Sequence, residues 1–414
     1  MKSTICDYGM NGEGVAKIDG KVFLIPGAVL DEEVEFDINK DFKNYAQCSL
    51  TKIYKKSKNR QIPPCPYVDK CGGCGLQHMV QTEQLKFKSL LIKKTIKKIC
   101  GIDVKVDDTI PSNNEFYYRN KASFNVGNSI GFYKQNSHDI VDINECKICS
   151  QNINKVLQIS KSFFENLKLP VSNIVVRDIE NQILVGVVTK QKTDLTGYLN
   201  LLQSNFKNIG LYEIINTRKD SVVISGKVIH IGGIKEIQIK NFDIDYSVDI
   251  ESFHQTNLDI QNKLYDAVLT FIHKKANVIN GFSGQGLLSA IIAKKAKSVI
   301  GIEINKSAHL SSEKLKKLNK IQNLTNICGD FNKEILKIKN YDTIILDPAK
   351  RGCGDKTMQA ISNAKRIIYI SCSPIALAKD LRIILGKYDI EKVIPFDMFP
   401  NTNNVETLVV LNKK

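Results

Sequence analysis

Asn277-Val278-Ile279-Asn280-Gly281-Phe282-Ser283-Gly284-Gln285-Gly286 decides the fold of this chain. A strand runs into a glycine-rich turn, and a helix begins near Leu287. Glycines at such a turn allow a tight reversal and let a ligand approach the backbone closely. The next strand, Ser298-Val299-Ile300-Gly301-Ile302-Glu303, ends on an acid 23 positions after Asn280. In nucleotide-binding folds an acid about 20 residues downstream holds ribose hydroxyls. The array suits S-adenosylmethionine as well as NAD. A third strand ends at Cys328-Gly329-Asp330, where Asp330 is placed either to bind an adenine amine or to cap the helix that follows. From about residue 246 apolar strands alternate with Lys-rich helices, a pattern that predicts βαβ units and a mainly parallel sheet.

Two more strands deliver chemistry. Thr343-Ile344-Ile345-Leu346 ends on Asp347-Pro348, and Ile368-Tyr369-Ile370-Ser371 ends on Cys372-Ser373-Pro374. Open α/β sheets place reactive groups at the carboxyl ends of their strands. A late carboxylate, Glu406, follows Phe399-Pro400-Asn401-Thr402. A lone buried Cys is usually structural, but Cys372 stands at a strand end with a Pro turn after it. Thiol and carboxylates together fit a covalent methyl transfer to a pyrimidine. A uracil ring is a poor carbon nucleophile. Thiolate addition at carbon 6 makes carbon 5 enolate-like, and a base must then remove the carbon 5 proton so that the thiol can leave. Cys372 is the candidate nucleophile and Glu406 the candidate base, with Asp347 placed to hold the base or the cofactor.

The 414 residues allow two or three domains. Composition is 43% hydrophobic and 25% charged, which suits globular domains. No apolar run approaches the roughly 20 residues that span a membrane. The start, Met1 to Asp7, has no long apolar core of the kind a signal peptide carries, so a cytoplasmic location is expected. A net charge of +16 favours an anionic partner, with nucleic acid first. In the first 60 residues, Val15–Ile18 and Lys21–Ile25 flank Asp19-Gly20, a two-residue hairpin turn. Glu33–Ile38 alternates at period two, and Tyr45–Tyr54 offers another strand. Four or five short strands predict a small barrel of the oligonucleotide-binding kind. Residues 82–100 read as a helix with Leu85, Ile92, Ile96 and Ile99 on one face. Strand-like runs dominate from about 111 to 245. The resulting division is 1–58 for the barrel, 59–80 with 111–245 for a central domain, and 81–110 with 246–414 for a catalytic domain.

The 11 cysteines include a cluster, Cys65-x5-Cys71-x2-Cys74, and a pair, Cys146 and Cys149. An odd count without an export signal argues against a disulfide framework. Metal binding accounts for the clustering, with Gly72 and Gly73 letting backbone wrap closely. A four-thiolate site needs a fourth ligand, Cys146 or Cys149. An iron–sulfur cluster and tetrahedral zinc both accept four thiolates.

At this point the residues resemble a known family, the uracil-5-methyltransferases of RNA (the TrmA-like enzymes), and in particular its ribosomal RNA branch with a TRAM domain and a [4Fe-4S] cluster. The resemblance spans nearly the whole chain. The TRAM pattern is similar to Gly12–Ala16 through Phe23–Gly27. The cluster motif is similar to Cys65, Cys71, Cys74 and Gly75-Leu76-Gln77-His78. Tyr118-Arg119-Asn120-Lys121 and Gly131–Lys134 match the central domain. The family's fourth cluster cysteine follows Ile-Val-Asp, which implies Cys146 after Ile140-Val141-Asp142. Phe253-His254-Gln255-Thr256-Asn257 resembles a motif whose Gln contacts the cofactor, a role carried to Gln255. Leu346–Gly352, Ile370–Pro374, Asp397–Thr402 and Val405-Glu406-Thr407 match the acid, nucleophile and base motifs. The cofactor turn departs from the family at Asn280, Ser283 and Leu287, but keeps Phe282, Gly284 and Gly286.

The resemblance implies an α/β Rossmann-like methyltransferase domain, an N-terminal TRAM (OB-like) β-barrel, and a central α+β domain carrying an iron–sulfur cluster. Expected catalytic residues are Cys372 and Glu406. Expected cofactor contacts are Gln255, Phe282, Gly284, Glu303, Asp330 and Asp347. Expected cluster ligands are Cys65, Cys71, Cys74 and Cys146. The cofactors are S-adenosylmethionine and [4Fe-4S], the partner RNA, with no obligate protein partner evident. Methylation of carbon 5 of a uridine in 23S ribosomal RNA is the leading expectation, because the transfer-RNA branch commonly lacks both the barrel and the cluster. Alternatives are a transfer-RNA enzyme and a non-catalytic RNA-binding protein; labelled methyl transfer separates an enzyme from a binding protein. A zinc-bound NAD oxidoreductase lacks a recognisable hydride-transfer site. The barrel, with Arg119 and Lys121 of the central domain, is expected to grip RNA.

Overall fold

The computed structural model describes residues 1–164, 169–218, 220 and 222–414. Its carboxyl-terminal sheet has seven strands. In spatial order they are Leu324–Cys328, Ser298–Glu303, Asn277–Gly281, Thr343–Leu346, Arg366–Ser371, Glu406–Lys413 and Tyr388–Phe396. The first five are parallel. Glu406–Lys413 returns antiparallel to Arg366–Ser371, with Tyr388–Phe396 antiparallel beyond it. The parallel strands are buried on both faces, so they read as continuous apolar runs; Ile344, Ile345 and Leu346 are all fully buried. Each such side chain contributes about 1.5–3 kcal/mol of burial. Chain order reverses at Asn277–Gly281, which lies between the second strand in sequence and the fourth. Crevices outside the carboxyl ends of strands at such a switch point take ligands.

The amino-terminal sheet has six strands, in the order Lys2–Thr4, Glu33–Asp41, Tyr45–Lys55, Lys21–Ile25, Gly14–Ile18, Asp7–Tyr8. The hairpin at Asp19-Gly20 has both residues at positive φ, 49° and 78°, as a type I′ turn requires. Ala16, Phe23, Ile25, Val34 and Phe36 fill its core. The count of four or five strands is low because Lys2–Thr4 and Asp7–Tyr8 are too short to show alternation.

The helix Gln81–Cys100 ends at Gly101, which takes φ 74° and donates its N–H to the Lys97 carbonyl. Its buried face matches the expected one at Ile92 and Ile96 and departs from it elsewhere. Gln84, Phe87, Lys88, Leu91, Ile92, Thr95 and Ile96 are buried, whereas Leu85 and Ile99 are only partly so.

The central sheet has seven strands, in the order Lys227–Gly233, Ile209–Ile215, Gln182–Thr189, Val171–Ile179, Lys121–Val126, Ile130–Tyr133, Ile140–Asp142. Two helices, Gln151–Phe164 and Thr196–Gln203, interrupt what the sequence suggested was mostly strand. Alternation in Val171–Ile179 explains how this sheet joins the rest. Ile174 and Val176 pack with Ile153, Leu157 and Tyr198 of those helices. Val175 and Ile179 share a core with Leu264, Val278 and Leu288 of the carboxyl-terminal layer. No helix among the described residues is long and apolar enough to cross a membrane.

Candidate active site

The glycine-rich turn leaves the strand Asn277–Gly281 at the switch point. A Cβ on Gly281 would lie 2.5 Å from the Phe331 ring, so only glycine fits there. Phe282, Gly284 and Gly286 all take positive φ, at 59°, 54° and 83°. The Phe282 ring lies 5.3 Å from that of Phe331, centroid to centroid. Glu303, ending the next strand, accepts the Gly284 N–H at 2.9 Å and the Asn305 N–H at 2.7 Å. Its carboxylate therefore fixes the turn, and its remaining lone pairs can still accept hydroxyl donors. Asp330 caps the short helix Phe331–Glu334 by accepting the Asn332 N–H at 3.0 Å. Asn280, where the family usually has Asp, donates to Ser289 Oγ at 2.8 Å. Gln255 is held from the central sheet: its carbonyl accepts from Asn120 Nδ2 at 3.0 Å. Asn257 caps the helix Leu258–Thr270, donating its own Nδ2 to Ser112 Oγ.

The reacting candidates converge for a topological reason. Asp347 and Cys372 follow the carboxyl ends of parallel strands. Glu406 opens an antiparallel strand, so its start lies at the same end of the sheet. Register pairs Ser371 with Thr407 and Phe396 with Glu406. Helix Pro374–Ile384 begins just after Cys372, with Ser373 Oγ accepting the Ala376 N–H and Pro at the first turn.

The three groups feel one another. Burial, and then the Asp347 charge, hold the Glu406 carboxyl well above the ordinary range. Burial pushes Asp347 up to about 7. The Cys372 thiol is pushed up to about 11 by burial and then by Glu406 and Asp347, with Lys350 acting in the opposite sense. At neutral pH the Cys372 thiol and the Glu406 carboxyl favour their protonated forms and Asp347 is near its midpoint, so Cys372 must lose its proton before it can attack and Glu406 before it can act as a base. The loop after Asp347 is tied to the helix after Cys372. Asp380 accepts from Tyr369 Oη at 2.5 Å and from the Cys353 and Gly354 amides at 2.7 and 3.0 Å. The acid and the thiol are thereby held by one scaffold.

Sequence reading missed residues around Glu406. Gln84 and Lys88 are buried polar side chains that pack against the turn before it, where Gln84 bonds Asn401, a residue of the quoted motif to which no role was given. A polar pair four residues apart on a helix, Gln84 and Lys88, was the available signal.

Cys65, Cys71, Cys74, Cys146 and Cys149 line one cavity of about 600 Å³, together with Gly72, Gly73 and Arg119. Cys149 also packs in the hydrophobic core under the central helices. Among the described residues, no group of three or more His, Cys, Asp or Glu converges to hold a single metal ion. Arg119, expected to grip RNA, lines this cavity. Lys121 is half-buried and pushed down to about 8 by burial and by Arg177.

Comparison with known proteins bears on this arrangement. Residues 80–414 match the family described as tRNA (Uracil-5-)-methyltransferase. An RNA methyltransferase of Clostridium tetani, described as uncharacterized, is 33% identical over 98% of this chain and 95% of its own length. A similar protein of Staphylococcus aureus is 31% identical over 99% of this chain and 97% of its own. Among solved structures, Pyrococcus abyssi tRNA (uracil-54, C5)-methyltransferase in complex with S-adenosyl-L-homocysteine superposes with a TM-score of 0.81. It is 25% identical and covers 99% of this chain and 100% of its own.

Proposed function

Because this chain belongs to the tRNA (uracil-5-)-methyltransferase family, we propose that its reaction runs through a covalent adduct on Cys372 and that its substrate is a uridine of 23S ribosomal RNA. The protein is an S-adenosylmethionine-dependent RNA uracil-5-methyltransferase. When bound, S-adenosylmethionine supplies an electrophilic methyl group. Glu303, Gly284 and Phe282 would hold it at the switch point, with Gln255, Asp330 and Asp347 contributing from neighbouring elements. The tight Gly281 turn and the unfilled lone pairs of Glu303 fit that role.

Cys372, as thiolate once its proton has passed to solvent, adds to carbon 6 of the flipped uracil, and carbon 5 takes the methyl group as the bond from that methyl to the cofactor sulfur breaks, its electron pair staying on sulfur. Glu406 removes the carbon 5 proton. The C–H electron pair restores the 5,6 double bond, the C–S bond breaks, and Cys372 leaves as thiolate. The observation that carries this reading is the strand topology that brings Cys372, Asp347 and Glu406 to one end of the sheet. Carbon 6 is inaccessible in a stacked helix, so the uridine must swing out, which costs least in loops and bulges.

Cys65, Cys71, Cys74 and Cys146 would hold a [4Fe-4S] cluster: four soft thiol donors around one cavity with two adjacent glycines fit it. The cluster would supply a structural crosslink between residues 65–74 and the central sheet. The amino-terminal sheet, residues 1–58, is read as a TRAM-like barrel that grips RNA phosphates.

One observation favours a transfer-RNA substrate instead. The Pyrococcus enzyme named for tRNA uracil 54 is similar over 99% of this chain, amino-terminal sheet included. That sheet alone therefore does not separate the two substrates. Labelled methyl transfer to 23S ribosomal RNA and to transfer RNA, followed by mapping of 5-methyluridine, decides. Methylation confined to transfer RNA overturns the ribosomal reading.

A further inference from the structure

Glu406 is approached through one tight turn, Asp397–Thr402, and the centre of that turn is saturated with hydrogen bonds from distant segments. Asn401 is fully buried at φ 68°. Its N–H donates to Gln84 Oε1 at 2.9 Å, and its Oδ1 accepts from Gln84 Nε2 at 3.1 Å. Its carbonyl accepts the Leu76 N–H at 3.0 Å. Its Nδ2 donates to the Glu115 carbonyl at 2.7 Å. Three segments thus converge on one residue: the loop just after Cys74, the helix Gln81–Cys100, and the chain leaving that helix. One turn along the helix, Lys88 forms a fully buried ion pair with Asp397 and donates to the Phe399 carbonyl at 3.0 Å. Tyr118 Oη donates to the Pro400 carbonyl at 3.0 Å.

Asn tolerates the left-handed region better than most side chains, but the conformation still costs more than for glycine and is kept where the surroundings hold it. Here the surroundings use all four polar groups of Asn401. A reacting group displaced by about 1 Å loses roughly a hundredfold in rate. We infer that Asn401, clamped by Gln84 and Leu76, is a positioning residue that sets the Glu406 carboxylate against carbon 5, and that through Leu76 it ties the cysteine-bearing loop to the elimination step. The inference rests on Glu406 acting as the base and needs no metal in its argument.

The test uses the full chain with two substitutions. Gln84→Ala removes both Gln84 bonds to Asn401, together with its bond to the Met79 carbonyl, without exposing a buried charge. Asn401→Gly removes the two side-chain bonds and suits the positive φ, so it guards against misfolding. Each is expected to lower kcat about tenfold to a hundredfold, with the KM for RNA and the affinity for S-adenosylhomocysteine changed less than about threefold. Each is also expected to accumulate a covalent RNA–protein band on a denaturing gel, lost when Cys372→Ala is added. A merely structural role lowers the melting temperature and both affinities without stalling at the adduct. Glu406→Gln, run beside them, separates the two ideas. If it traps adduct and neither Gln84→Ala nor Asn401→Gly does, the positioning role is overturned. If it traps none, the base assignment fails first and the inference falls with it.

Discussion

The two sides of the switch point are built on opposite principles. On one side, the acids at strand ends are tied to backbone amides: Glu303 accepts from Gly284 and Asn305, and Asp330 from Asn332. On the other side, Asp347, Cys372 and Glu406 share one end of the sheet: burial raises all three, and neighbouring carboxylates add to the rise of Cys372 and Glu406. A site that only binds is best made of satisfied, preorganised groups. A site that must form and break bonds keeps groups whose charged forms are costly until substrate arrives. One sheet therefore carries a rigid half and a reactive half within a few strands.

The sharpest way to break this contrast is Cys372→Ala. Turnover is expected to fall at least about 10⁴-fold, since the covalent route is lost. Affinity for S-adenosylhomocysteine, measured by calorimetry, is expected to stay within about twofold, because the thiol acts on uracil. Substantial turnover by the variant overturns the covalent mechanism.

Glu406→Gln comes next, with a fall of about 10²–10⁴-fold in turnover, the range for a lost general base. The carbon 5 proton then stays, and a Cys372-dependent RNA adduct should persist on a denaturing gel. An inactive variant with no adduct moves Glu406 to an earlier step.

What the sequence disclosed follows the same division. The parallel strands are buried on both faces, so Thr343–Leu346 and Arg366–Ser371 stand out as apolar runs closed by Asp347-Pro348 and Cys372-Ser373-Pro374. The hairpin at Asp19-Gly20 is equally local, because its turn chemistry sits in two adjacent residues. The helix Gln81–Cys100 was legible as a helix, and its buried face in part, at Ile92 and Ile96. Periodicity favours Leu85, Ile92, Ile96 and Ile99. The fold also buries Gln84 and Lys88, whose partners Asn401 and Asp397 lie 317 and 309 residues away. A buried polar residue looks like a surface one until its distant partner is known. Nearness of Glu406 to Cys372 likewise depends on the antiparallel return of the last strand, which no local pattern announces.

On the binding side, Glu303→Ala should weaken S-adenosylmethionine about tenfold to a hundredfold. The loss combines ribose contacts with two amides, Gly284 and Asn305, left without their acceptor. At saturating cofactor, kcat should change less than about threefold. A large fall in kcat with unchanged affinity would put Glu303 on the reactive side and dissolve the contrast.

The smallest expected effect is on stability, and its sign tests the reactive half directly. Asp347 rises from 3.8 to about 7 on folding. Below pH 4 the carboxyl is protonated in both states, and the shift has no effect. As pH rises toward 7, the unfolded chain ionises freely while the folded chain keeps its proton. The folded state then binds more protons, so stability falls with rising pH. Above 7 this partly buried group is ionised and its penalty is present. Asp347→Asn removes a charge that the fold carries at a cost, so the variant should melt higher than the wild type at pH 8. A gain of about 1 kcal/mol corresponds to about 2–4 °C for a domain of this class. The gain should shrink at pH 5, where the wild-type group is already protonated when folded. Calorimetric melts of both proteins at the two pH values measure it. An Asn variant that melts lower at pH 8 would mean that the Asp347 carboxylate is satisfied in the fold, like Glu303, and that the two halves of the site are built alike.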